Sequence, residues 1–202
     1  MLSKPRPVNE HTLESSLKNL QLERGNTFED RLFQKHKSVM ADHTYSTDFK
    51  KVLQEAQSGQ YIYQLRFTLP EGFYAEVIGD TKTYRMRSFI PDFLYIHEDP
   101  ITKIRKILII DAKSSKGISD THQFQVGSYA FFLQYLIKDI RNLEIDRLGG
   151  VWLPSDMDKP ELFRIDLMLG KIKLFYTKEI IAILKREDPE WHLAKRCATC
   201  PF

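Results

Sequence analysis

Residues 106–113 read Lys-Ile-Leu-Ile-Ile-Asp-Ala-Lys, and this stretch restricts the fold more than any other. Five of its eight residues are apolar without strict alternation, the pattern of a strand buried on both faces. Yet it ends on Asp111 and Lys113. Residues two apart in a strand point to the same side, so the carboxylate and the ammonium share one face. A buried charge without a partner is costly, which calls for a metal or another ionised group beside it. Residues 88–96, Ser-Phe-Ile-Pro-Asp-Phe-Leu-Tyr-Ile, repeat the anomaly, with Asp92 the one acid in an otherwise apolar strand.

Around these two strands the hydrophobic period changes in an orderly way. Spacings of three and four predict helices over residues 11–22, 28–39 and 46–57, the second opened by Asn26 or Thr27 and the third by Ser46 or Thr47. Alternation from Tyr61 to Leu69 predicts a strand, and residues 73–78 a second one beyond the turn Pro70-Glu71-Gly72. After strands at 88–96 and 106–113, Ser119 or Asp120 opens a long helix over 121–140. A strand follows at 147–153, then a hairpin of 162–169 with 171–176 around Gly170, and a last helix capped by Thr177 and running to Lys185. Helices, a run of strands, a helix and a strand make an α/β fold with a mixed sheet.

With 202 residues, 42% hydrophobic and 28% charged, the chain is expected to be a single soluble domain over 1–202. Residues 1–10 read as a flexible arm, and 187–202 as a tail that marks a boundary if the protein is longer. No apolar run nears the ~20 residues of a membrane span, and the polar, proline-bearing start has no signal segment. Two cysteines three apart near the end suit a reducing compartment, so the cytoplasm is the expected location. A net charge of +3 says little about partners, but its distribution says more. Between Lys82 and Lys116 stand eight basic residues (Lys82, Arg85, Arg87, Lys103, Arg105, Lys106, Lys113, Lys116) against four acids (Asp92, Glu98, Asp99, Asp111), a local excess of +4. Such a cluster suits a phosphate-binding surface as well as a solvated loop.

Pro91-Asp92, a spacer, then Asp111-Ala112-Lys113 resembles the signature of the PD-(D/E)XK nucleases. The resemblance implies a restriction-endonuclease-like α-β-β-β-α-β core, a central mixed sheet flanked by helices. It also implies a metal-dependent nuclease that hydrolyses phosphodiester bonds in DNA. Asp92 and Asp111, with the Ala112 main-chain carbonyl, would hold Mg²⁺ or Mn²⁺, and Lys113 would orient the attacking water and stabilise developing charge. The competing reading is a buried Asp–Lys pair that closes a strand end.

Within the long helix, His122, Gln125 and Tyr129 lie on one stripe. Gln125 and Tyr129, as Q-x-x-x-Y after the D-x-K strand, resemble the RecB-type branch, which includes nuclease domains of recombination helicases and of CRISPR adaptation. There they contact the lysine or the nucleic acid. Upstream, Gly25 followed four residues later by Glu29 is similar to that branch's first helix motif, with glutamate where many members carry histidine; the resemblance thus implies Glu29 as a further metal ligand. Lys82, Arg85, Arg87 and Lys116 are the expected nucleic-acid contacts. Cys197 and Cys200, in Cys-Ala-Thr-Cys-Pro-Phe, resemble the start of the cysteine cluster that holds [4Fe-4S] in several relatives. Two thiolates cannot complete a four-cysteine site, so no bound cluster is expected in this chain.

The expected partners are DNA, and a helicase or another subunit of a nuclease complex, with no membrane. A second reading keeps the fold without turnover, as a catalytically inactive nucleic-acid-binding or interaction module of such a complex.

Overall fold

A computed structural model describes residues 25, 27–46, 48–79, 85–86 and 88–185. The expected helix over 11–22 and the cysteine tail lie outside them. Six strands form one sheet in the order β1 to β6: β1 (Met40–Asp42), β2 (Gln60–Tyr63), β3 (Phe93–Glu98), β4 (Arg105–Ala112), β5 (Leu143–Leu153) and β6 (Asp156–Arg164). The β1–β2 and β4–β5 pairs are parallel and the other three antiparallel, so the sheet is mixed. Helices cover it on both sides: α1 (residues 27–35) on one, α4 (Asp120–Leu136) and α5 (Leu169–Leu174) on the other. The expected α/β architecture is present at this level.

The unbroken apolar run of β4 is explained by these two layers. Ile107 and Ile109 pack with Val126, Ala130 and Leu133 of α4, while Leu108, Ile110 and Ala112 pack with Phe28 and Leu32 of α1 and with Trp152. On its odd-numbered side β4 therefore turns Asp111 towards α4. Ser119 caps α4 through a capping box. Its hydroxyl accepts the His122 N–H at 3.4 Å, and the His122 ring accepts the Ser119 N–H at 3.2 Å. The histidine with no evident role in the sequence is thus part of the cap.

Several expected elements differ. The alternating run from Tyr61 leaves the sheet after Tyr63 because Gln64 turns into the left-handed region (φ 48°). Leu65, Phe67 and Leu69 stay buried, but of these only Phe67 makes a β-bridge, an isolated one to Phe89 outside the strands. Residues 73–78 are helical: α3 (Glu71–Phe73) runs into a π-helical turn (Tyr74–Ile78) that stops at Gly79, φ 73°. Consecutive Phe73 and Tyr74 are both buried, which a strand with one solvent face would forbid.

The expected hairpin around Gly170 is also overturned. Residues up to Arg164 belong to β6, and Gly170 lies inside α5, where Ile172 is the buried contact between exposed lysines. Thr177 does not cap the last helix. Its hydroxyl donates to the Lys173 carbonyl within the π-helical turn (Phe175–Glu179) that precedes α6 (Ile180–Leu184). Asp48, rather than Ser46 or Thr47, caps α2 (Phe49–Glu55). Among the described residues no helix is long and apolar enough to cross a membrane.

Candidate functional site

Four segments meet at the end of the sheet where β4 finishes. Asp92 immediately precedes β3, and Asp111 is the penultimate residue of β4. Glu29 stands near the start of α1, and Gln125 and Tyr129 are one turn apart on α4. The residues singled out for chemistry are therefore neighbours in space.

Their contacts are with one another. Asp92 Oδ2 accepts the Ala112 N–H at 2.7 Å, closing the strand one residue past the last β3–β4 pair, Phe93 with Ile110. Asp111, 1% exposed, receives the Gln125 amide on Oδ1 at 3.3 Å. The Lys113 ammonium lies 2.5 Å from Asp111 Oδ2, an ionic contact off the direction of a hydrogen bond, which leaves that buried oxygen without a hydrogen-bond donor. Gln125 also donates to the Tyr129 hydroxyl at 2.9 Å. Phe89 stacks on the Tyr129 ring at 5.7 Å.

Gln64, to which the sequence assigned no role, is a further member. Its N–H donates to the Asp92 carbonyl at 3.0 Å and its side-chain amide to Glu29 Oε2 at 3.2 Å. A polar residue with a positive φ breaks the alternation of Tyr61–Leu69 at this point. The alternation alone concealed it.

Burial and mutual repulsion set the electrostatics. Burial first, then the neighbouring Asp111 and Glu29, push the Asp92 carboxyl up to about 8, against the pull of the Ala112 N–H. Glu29 is raised by burial, with the Gln64 amide opposing. Burial pushes the Tyr129 phenol up to about 12, so it is a neutral hydrogen-bonding group. Burial and the two acidic neighbours thus favour the neutral form of Asp92, while Lys113 pairs with Asp111.

This arrangement corrects the metal-centred expectation. Among the described residues no group of three or more His, Cys, Asp or Glu side chains is arranged to hold a metal ion. Glu29 Oε2 accepts from Gln64, Asp92 Oδ2 from the Ala112 N–H and Asp111 Oδ1 from Gln125, while Lys113 pairs with Asp111 Oδ2. The expected ligands Glu29, Asp92 and Asp111 are thus bonded within the protein and do not form such a group. The reading as a Mg²⁺- or Mn²⁺-dependent deoxyribonuclease, a metal-binding hydrolase with either ion as cofactor, is overturned on this ground. Compared with models of known protein families and with curated proteins, the sequence matches none.

The expected basic contacts are dispersed. Lys116 is exposed on the loop between β4 and α4. Arg85 pairs with Glu71 and lies 5.4 Å from the centre of the Tyr74 ring. Lys82, Arg87, Cys197 and Cys200 lie outside the described residues. Arg66, two residues past Gln64, is exposed and donates to the Ser88 hydroxyl at 3.0 Å. Chemically, the site can offset its own carboxylates, with Lys113 as the cation in direct contact with them.

Proposed function

We propose that the chain is a catalytically inactive nucleic-acid-binding module, built on the restriction-endonuclease-like core of the RecB-type branch and working within a larger helicase or nuclease assembly. The observation that carries this reading is that Asp92, Asp111 and Lys113 converge at one end of the sheet while their charges are answered from within the protein. The succession β2, β3, β4, α4, β5 supports the same core. The favoured neutral form of Asp92 lessens the repulsion of a phosphate, and the partly exposed Lys113 beside Asp111 offers it a cation. Gln125 and Tyr129 order the centre of the site.

Fluorescence anisotropy with labelled single-stranded and duplex DNA tests the reading. Affinity should fall steeply between about 50 mM and about 200 mM salt, and Lys116→Ala should lower the slope of log affinity against log salt by about 1. Absence of binding at the lower salt would overturn the nucleic-acid reading. Cleavage of either substrate, abolished by chelator, would overturn the non-catalytic one.

A further inference from the structure

Beside the polar site, on the other side of α4, lies a cavity of about 670 Å³. We propose that it receives one unstacked base of a single-stranded nucleic acid, an inference that rests on the preceding reading and names the form of its ligand. The volume falls within the roughly 300–1,000 Å³ typical of small-molecule sites. Phe124 and Phe175 line it, their rings edge to face with centroids 5.2 Å apart, and Met168 and Leu167 complete an apolar wall. Leu167 is 75% exposed, far more than a side chain serving only the core.

The polar lining selects among ligands. Asp120 and Glu179 offer acceptors and Gln123 offers both an acceptor and a donor, whereas Lys171 is the single cation. Two carboxylates to one ammonium disfavour a phosphate inside the cavity. They suit the exocyclic amino groups of adenine, cytosine or guanine, with Lys171 near enough to meet a backbone phosphate. Aromatic walls with few hydrogen-bonding groups are the usual means of holding bases of single strands.

Position supports the assignment. Gln123 and Phe124 directly precede Gln125, which reaches Asp111, and Lys116 lies on the loop that leads into α4. Lys116 is four residues before Asp120, which lines the cavity, so a nucleic-acid backbone held at Lys116 has one of its bases within reach of it. A duplex keeps its bases stacked inside and cannot fill it.

The test compares the wild-type protein with Phe175→Leu, which keeps apolar bulk and removes the aromatic face, on single-stranded and duplex DNA of one sequence. Circular dichroism establishes that the variant folds. Phe175→Leu should weaken single-strand binding about tenfold and leave duplex binding unchanged. The wild type should prefer oligo(dA) to oligo(dT). Single-strand affinity unchanged by Phe175→Leu, or equal affinity for the two homopolymers, would overturn the base pocket and leave the binding module standing. A wild-type protein that binds neither form of DNA would overturn both.

Discussion

The Asp92 carboxylate accepts the Ala112 N–H at 2.7 Å, so an acid on the approach to β3 finishes the hydrogen bonding of β4. The side chain that reads most like a ligand in the sequence does structural work here, close to the competing reading of charged residues that close a strand end. It does so at an electrostatic cost, because Asp111 and Glu29 are its neighbours.

Asp92 should make stability depend on pH in an unusual direction. Its folded value, about 8, lies above the ordinary 3.8, so between those values the folded protein holds a proton that the unfolded chain has released. The contribution of Asp92 is full below about pH 4, declines as pH rises towards 8, and levels off above. The raised Glu29 acts in the same sense. Asp92→Asn, which keeps the acceptor for Ala112 N–H, should flatten this decline. Melting temperatures from pH 5 to pH 9 decide it, and parallel curves for the two proteins would refute the assignment.

Lys113→Met should destabilise the protein by about 2 kcal/mol, because it strips the buried Asp111 of its counter-charge. The figure sits below that of a fully buried pair because the lysine is 27% exposed. Adding Asp111→Asn, which preserves a partner for Gln125, should recover most of the loss. Urea denaturation of the two single variants and the double variant measures the coupling. A Lys113→Met protein within about 0.5 kcal/mol of wild type would mean that the pair contributes no more than an exposed one.

Arg105 joins the edge of β4 to the end of α2. Its Nη1 lies 3.4, 3.2 and 2.7 Å from the carbonyls of Leu53, Gln54 and Ala56, acceptors that a helix end leaves open. Arg105→Ala should cost about 1–2 kcal/mol and increase hydrogen exchange in α2 more than in α4. Uniform exchange changes across both helices would argue against a local cap.

Gly149→Ala should disturb the packing of β5 beneath α4. A methyl group there would stand 2.7 Å from both Ile165 Cγ2 and Val126 Cγ1, two fully buried side chains. Overpacking of this kind costs about 1–3 kcal/mol. Guanidinium denaturation checks it, and Val126→Ala in the same chain should relieve part of the strain.

The centre of the sheet was legible because a short apolar run bounded by charges and turn residues suits a strand buried on both faces. Residues 106–113 anticipate β4 within a residue or so, and the Ser119 cap places the start of α4. The region after Leu69 was not legible by the same means. Phe73 and Tyr74 are apolar neighbours that a strand and a buried helix accommodate equally well, and the π-helical turn leaves no periodic trace. Residues 162–176 mislead for a related reason, since Ile172 between lysines alternates like a strand while lying on a helix. At the site, Asp92, Asp111, Lys113, Gln125 and Tyr129 were picked out by motif, which says nothing of where their polar atoms point. That direction depends on Gln64, whose left-handed backbone aims one amide at Asp92 and another at Glu29.

Successive residues on α4 serve two chambers: Phe124 faces the cavity and Gln125 reaches across to Asp111 and Tyr129. One helix turn is thus a shared wall. A substitution at either position therefore falls on a backbone turn that both sides share, and Phe124 and Gln125 have to be varied separately to tell the two apart.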